Sequence, residues 1–97
     1  MMELIDRFEW DEWNIAHIAR HGMSVEEVES VVSRPVVATA SYKERLLLIG
    51  PSAQDRLVAV VAGRVPDTEG TWYVFTASPA SRKERRRYAE LTARETL

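Results

Sequence analysis

The hydrophobic period of the chain changes near Pro35, and this change restricts the folds that it can adopt. Before this residue, apolar side chains recur three and four positions apart, as on one side of a helix. After it, they form short runs rich in β-branched and aromatic residues, which are typical of strands. A chain with helices first, strands next and a helix last is expected to fold as an α+β protein with its helices packed on a sheet.

Capping signals set the limits of the first two helices. Asp11 precedes a helical stretch that passes through Asn14 and is expected to end at His21-Gly22, because glycine is preferred just beyond a helix. Ser24 and Glu27 form a capping box for the second helix, in which the serine accepts a backbone amide and the glutamate reaches back. Pro35 is expected to stop this helix, because the residue before a proline is displaced from the helical region.

A second capping box, Ser81-Arg82-Lys83-Glu84, predicts a C-terminal helix that runs through about Thr96. Its apolar strip is narrow and contains Tyr88 and Leu91. Between the helices, breakers separate four predicted strands: Val36–Tyr42, Arg45–Gly50, Arg56–Arg64 and Thr71–Ala77.

Short connections join antiparallel neighbours, so the four strands are expected to form a meander. We predict one domain over residues 1–97 with the order α-α-β-β-β-β-α and the helices on one face of the sheet. The residues Phe8–Trp10 are interpreted as a short extended segment that leads into the first helix.

The composition excludes several classes of function. The chain has no cysteine, so disulfides, thiolate metal sites and cysteine nucleophiles are ruled out. No apolar run approaches the roughly 20 residues that a membrane span needs, and the first residues lack the pattern of a signal peptide. We therefore expect a cytoplasmic protein with no membrane partner.

Charge is unevenly distributed along the chain. Residues 1–34 carry eight acids and three bases, whereas residues 35–97 carry seven acids and ten bases. Three of the acids are expected on a solvated face of the second helix: Glu26, Glu27 and Glu29. The densest basic run is 82–87, with five cations in six positions, and it suits RNA phosphates or an acidic partner. The alternative is a solvated helix face.

Further cations accompany the predicted strands, together with two tyrosines: Lys43, Arg45, Arg56, Arg64, Tyr42 and Tyr73. A sheet face that no helix covers can hold such groups in a groove. There, arginine would offset charge on a transferring phosphoryl group, and tyrosine would supply a proton. The simpler interpretation is that each is an ordinary solvent-facing residue.

His17 and His21 lie four positions apart and share one helix face, as in half of a zinc site. No glutamate follows His17, so the HExxH pattern is absent. Trp10 and Trp13 flank this face, which favours histidines packed on indole rings. We predict no metal site and no cofactor.

Several short motifs follow one another in a fixed order from residue 8 to about residue 90. They are Phe8-Glu9-Trp10-Asp11, Asn14, Arg20-His21-Gly22, the Ser-x-Glu-Glu helix start, Phe75-Thr76-Ala77, Ala80-Ser81-Arg82-Lys83-Glu84-Arg85 and Tyr88. This ordered set, which covers nearly the whole chain, resembles the BrnT family of bacterial type II toxins.

The resemblance implies a RelE-like fold and a metal-independent ribonuclease that is neutralised by a ribbon-helix-helix antitoxin. The complex of the two would repress its own promoter, so contact with DNA is expected only indirectly. Such enzymes activate the ribose 2′-OH against the adjacent phosphate. Cations stabilise the pentacovalent charge, and a general acid protonates the leaving 5′ oxygen.

Under this hypothesis, the expected active groups are Arg45, Arg64, Tyr73, Arg82 and Tyr88. Arg64 and Arg82 would hold the phosphate, and a tyrosine, Tyr73 or Tyr88, would donate the proton or stack a base. Further RNA contacts are expected from Lys43, Lys83, Arg85 and Arg86. His21 is a possible general base, because imidazole exchanges protons near neutral pH.

The chain departs from the family pattern in the last strand. Family members commonly end it with Ser/Thr-Ala-Arg, where this chain has Thr76-Ala77-Ser78, and many carry an arginine at the position of Tyr73. The loss of such an arginine removes a phosphate ligand, unless Arg64 or Arg82 substitutes for it in space. The alternative function is therefore a catalytically weak or dead binding module that acts through the antitoxin or RNA.

Overall fold

The computed structural model describes residues 5–34 and 36–95. In these ranges, the helices are α1 (Glu12–Ala19), α2 (Val25–Val31) and α3 (Arg82–Glu95), and the strands are β1 (Arg7–Glu9), β2 (Val37–Ala40), β3 (Leu46–Pro51), β4 (Leu57–Arg64) and β5 (Thr71–Pro79). The helix stop predicted at Pro35 and the helix end predicted at Thr96 lie outside the described residues. None of the helices described is both long and apolar enough to cross a membrane.

The strands form one mixed five-stranded sheet in the order β1-β5-β4-β3-β2. β2 to β5 make the predicted antiparallel meander. The prediction of four strands was wrong, because the segment that leads into α1 pairs in parallel with β5, with Phe8 opposite Trp72. A strand of three residues carries almost no period-two pattern, and its partner lies near the other end of the sequence.

Helices cover both faces of the sheet, which corrects the prediction that they pack on one. α1 and α2 bury the face that presents Leu48 and Val60. α3 crosses the opposite face, where Tyr88 and Leu91 pack against a cluster that includes Ile49. Because Leu48 and Ile49 are neighbours on β3, their side chains point to opposite faces and both are buried. A strand buried on both faces has a continuous apolar sequence, so the sequence pattern does not show where each helix packs.

The predicted caps of α1 are confirmed. The Asp11 carboxylate accepts the N–H of Asn14 at 2.9 Å, and the Asn14 side chain accepts the N–H of Asp11 at 2.8 Å. At the other end, Gly22 has a φ of +77° and follows the last turn as expected. The N–H of Met23 returns to the carbonyl of Ile18 at 3.1 Å, which completes a Schellman motif.

Capping boxes were predicted at α2 and α3, and only the box at α3 is complete. At α3, Ser81 Oγ accepts the N–H of Glu84 and the Glu84 carboxylate accepts the N–H of Ser81, so the box is confirmed. At α2, Ser24 Oγ accepts the N–H of Glu27 at 3.1 Å, but the carboxylate of Glu27 points into the protein instead.

Glu27 is buried, which corrects its predicted place on a solvated face. Its carboxylate accepts two N–H bonds from Arg56, at 2.7 and 2.8 Å, and the hydroxyl of Ser52 at 2.7 Å. These bonds hold the β3–β4 connection against α2. The hydrogen bond from Arg56 holds the pKa of Glu27 below its ordinary value, although burial acts in the opposite direction. Arg56, expected among the groove cations, is instead a partner of this buried acid.

Asn14 is fully buried, and all of its side-chain polar groups are engaged. Its amide nitrogen donates to the carbonyl of Glu9 at 2.9 Å and to that of Val74 at 3.0 Å, while its oxygen accepts the N–H of Asp11. A single side chain therefore joins the end of β1, the middle of β5 and the start of α1.

We expect Asn14→Ala to lower the free energy of unfolding by roughly 2–4 kcal/mol, because it removes the partner of one buried carbonyl and of two partly buried backbone groups. Urea unfolding of the purified chain measures the change. The control is Ile15→Ala, because Ile15 is the next residue and its side chain is 44% exposed. This variant should change the free energy of unfolding by no more than about 0.5 kcal/mol. Equal stability of the two variants would contradict the role given to Asn14.

The lowered pKa of Glu27 predicts that stability is lost in acid. The contribution is fully present above the unfolded pKa of about 4.3 and disappears as the pH falls through the lower folded pKa. Glu27→Gln should flatten the fall in unfolding free energy between about pH 6 and about pH 3. Urea unfolding across this range tests the prediction. Glu26→Gln, which changes an exposed acid of the same helix, should keep the wild-type slope.

Candidate functional site

α3 packs on β2 and β3, and the part of the same sheet face beside it is not covered by a helix. Here β4 and β5 present side chains that alternate with those of the α1/α2 core. We call this surface the open strip and define it by Val61, Gly63, Tyr73, Phe75, Thr76 and Ser78. Most of these residues are half buried, so the strip remains accessible to a ligand.

A β-bulge directs Phe75 into the open strip. The register passes from Val61 opposite Thr76 to Ala62 opposite Val74, which leaves Phe75 as the additional residue. Its ring lies over Gly63, where an added Cβ would approach the ring carbon Cε2 to 2.7 Å. The glycine is therefore required by the position of the ring.

Arg45 is the cation of the open strip. It follows the β2–β3 turn, and its guanidinium carbon lies 3.6 Å from the centroid of the Phe75 ring. This is the distance of a stacked cation–π contact. Within the described ranges, no carboxylate forms an ion pair with Arg45. Because the guanidinium stacks on the ring, its N–H groups lie at its edge. They are available to an anion such as a phosphate, since no described carboxylate pairs with them.

Tyr73 lies beside this pair at the edge of the strip. Its ring meets Phe75 edge-on, with centroids 5.1 Å apart. Its hydroxyl donates to both carboxylate oxygens of Asp11, at 3.0 and 3.1 Å. Burial raises the pKa of Tyr73, and the hydrogen bond to Asp11 and the charges of Asp11 and Glu9 raise it further. Tyr73 therefore keeps its proton, which is directed at a carboxylate.

The five cations of the run 82–87 on α3 are exposed and differ in where they point. Arg87 donates to Thr39 of β2 at 3.2 Å, so this flank of the helix faces the sheet edge. The opposite flank carries Arg85, which borders the open strip and donates to the carbonyl of Ala80 at 3.3 Å. Arg82 and Arg86 share the side that faces away from the sheet, and Lys83 is likewise exposed.

The structure does not bring the other predicted active groups onto the open strip. Arg64 lies on the α1/α2 side, where its guanidinium is 5.5 Å from the centroid of the Trp72 ring. Its cleft, of about 370 Å³, also includes Asp67 and Glu69. Tyr88 is half buried between α3 and the sheet.

The histidines lie on the outer surface of α1 and of the turn that follows it, and His17 packs on an indole ring as expected. His17 stacks on Trp13 with ring centroids 4.9 Å apart, and His21 meets His17 edge-on at 5.3 Å. His21 is therefore not placed to act as a base on the open strip. Across residues 5–34 and 36–95, no group of three or more His, Asp or Glu side chains comes together in the way that a metal site requires.

Sequence reasoning found Arg45 and Tyr73 but missed two residues that hold them. Phe75 supports the guanidinium only because of the bulge, and the bulge leaves no periodic trace in the sequence. Asp11 was assigned to helix capping alone. One indication was present: a glycine inside a strand, here Gly63, marks a bulge or a close approach.

No family model matches the chain, and no curated protein matches it. The resemblance to the BrnT family therefore rests on the ordered motifs given above.

We expect Asp11→Asn to lower the pKa of Tyr73 part of the way to its ordinary value, because the carboxylate charge is removed while the burial of the ring remains. The ultraviolet absorbance of tyrosinate during an alkaline titration measures this change. Tyr73→Phe identifies the titration step that belongs to Tyr73 among the three tyrosines. Glu12→Gln removes a neighbouring exposed acid and should leave the titration of Tyr73 unchanged.

Proposed function

We propose that the chain is the ribonuclease toxin of a type II toxin–antitoxin pair, with a RelE-like fold, and that RNA binds on the open strip. The observation that carries the proposal is the Arg45 guanidinium, stacked on Phe75 beside a basic helix and with no carboxylate partner in the described residues. Such a group offers its planar face to a base and its N–H edge to a phosphate.

In this proposal, Arg45 donates to the non-bridging oxygens of the scissile phosphate. The ribose 2′ oxygen attacks the phosphorus, and the bond from phosphorus to the 5′ oxygen breaks. The products are a 2′,3′-cyclic phosphate and a free 5′-OH. The N–H donors of Arg45 stabilise the charge that develops in the pentacovalent state, and the exposed cations of the run 82–87 attract the RNA backbone.

Tyr73 and Asp11 carry the proton in the same scheme. The 2′-OH gives its proton to the tyrosine oxygen as the tyrosine proton moves to the Asp11 carboxylate. The reverse movement returns a proton to the 5′ oxygen as it leaves, so the pair ends in its starting state. The two hydrogen bonds from Tyr73 to Asp11 support this assignment.

The partner in this proposal is a ribbon-helix-helix antitoxin that neutralises the chain, with DNA contacted only through the complex and with action in the cytoplasm. A second candidate is a binding module that holds RNA or the antitoxin without cleavage. It is supported by Ser78, which stands on the open strip where the family pattern has arginine, and by the position of Arg64 on the other side of the sheet.

The decisive experiment is the cleavage of a generic RNA by the purified chain, with EDTA present and without antitoxin. We expect products with 2′,3′-cyclic phosphate ends. Arg45→Ala should lower the rate by roughly 100- to 1000-fold, the effect of removing one donor to a transition-state oxyanion. Tyr73→Phe should also lose cleavage but keep RNA affinity.

Arg20→Ala is the matched control, because it removes an exposed arginine that follows α1, on the other side of the sheet from the strip, and it should cut at the wild-type rate. Arg64→Ala should also retain cleavage, since Arg64 lies across the sheet. Wild-type rates in Arg45→Ala would overturn the assignment. RNA that is bound but stays intact would favour the second candidate.

A further inference from the structure

We propose that the β2–β3 turn is a second contact for single-stranded RNA, in which the Tyr42 ring stacks on a base and Lys43 meets a phosphate. This inference rests on the proposed function, because it extends the RNA site from the open strip to the neighbouring turn. Three observations carry it: the backbone of the turn, the exposure of Tyr42 and the position of Arg45.

The backbone conformation of the turn is unusual for the residues that form it. The N–H of Arg45 donates to the carbonyl of Tyr42 at 3.2 Å, so Lys43 and Glu44 are the two central residues. Both have left-handed φ values, +55° and +61°. Turns of this kind favour Asn-Gly, and side chains larger than glycine are disfavoured there. Two successive residues with left-handed φ values are strained, and strain of this kind is found more often at functional sites.

Tyr42 does not contribute to the core. It is 72% exposed, more than Trp13 at 58% and Ile15 at 44%. The Lys43 ammonium lies 5.3 Å from the centroid of its ring. The turn therefore presents an aromatic ring and a cation to solvent, a pairing that single-stranded nucleic acids bind through stacking and charge.

The turn leads directly into the open strip. It begins at Tyr42 and ends at Arg45, whose guanidinium rests on Phe75. Along this path an aromatic ring with a cation is followed by a second cation and ring. Successive bases and phosphates of a single strand require this kind of alternation. Duplex RNA does not fit it, because its bases are already stacked within the helix.

Charge distinguishes this turn from the other exposed aromatic surface. Trp13 lies in the segment 1–34, where acids outnumber bases by five, and His17 stacks on its ring. Tyr42 lies in the segment 35–97, where bases outnumber acids by three. The net charge of the two segments therefore favours a polyanion at the turn over one at the surface of α1.

The test is the affinity of the full chain for a labelled single-stranded oligouridine, measured by fluorescence anisotropy. Tyr42→Ala should weaken binding by roughly 5- to 150-fold, the range for the loss of one base–aromatic stack. Tyr42→Phe should keep the affinity because it keeps the ring, whereas Tyr42→Leu should lose it. Trp13→Ala removes an exposed ring outside the site and should bind like wild type.

Two further measurements separate stacking from charge. Lys43→Ala should reduce the slope of log affinity against log salt by about 0.7, the value for one phosphate contact on a single strand. With duplex RNA of the same length, Tyr42→Ala should have no effect. An equal loss with duplex and single strand would overturn stacking as the cause.

The outcomes distinguish this inference from the proposed function. If Arg45→Ala loses RNA binding or cleavage while Tyr42→Ala binds as tightly as wild type, the proposed function stands and the role of the turn is overturned. A wild-type chain that neither binds nor cuts RNA would overturn both. Circular dichroism and urea unfolding of each variant confirm that the comparison is between folded proteins.

Discussion

The buried amide of Asn14 is the interaction on which the arrangement of this protein depends. It bonds to carbonyls at the end of β1 and in the middle of β5, and it completes the cap of α1. The same cap fixes the carboxylate of Asp11, which in turn holds the hydroxyl of Tyr73 at the edge of the open strip. A stabilising contact on one side of the sheet therefore positions a polar group on the other side, so the geometry of the candidate site depends on the packing of the core.

The sheet separates two surfaces of different character. α1 and α2 cover one face and carry four acids and no lysine or arginine, while α3 lies across the other face and carries the dense basic run. On each side, a charged residue turns inward to a partner within the protein. Glu27 is drawn inward from the acidic helices to meet Arg56, and Arg45 is drawn inward from the basic side to meet Phe75. Pairing satisfies the first charge within the protein, whereas stacking leaves the hydrogen bonds of the second available.

Patterns within a few residues of sequence predicted the local structure well. Contacts between distant parts of the chain could not be predicted from such patterns. The caps at Asp11 and Ser81 and the glycine after α1 each depend on residues within one turn, so their patterns are visible. The pairing of β1 with β5, the side on which α3 packs and the burial of Glu27 all depend on partners far along the chain. For the candidate site, residue type identified Arg45, but its platform required a bulge that only the register of β4 and β5 reveals.

The parallel pairing of β1 with β5 also determines when the sheet can be completed. Each strand of the meander pairs with the strand made just before it, but β1 has no partner until β5 is available. Closing so long a loop is slow compared with forming neighbouring hairpins. During synthesis, the pairing of β1 and the bond from the Asn14 amide to the carbonyl of Val74 must therefore wait until β5 has left the ribosome. A chain that stops before β5 lacks an assembled Tyr73–Asp11 pair, so any activity of that pair requires β5.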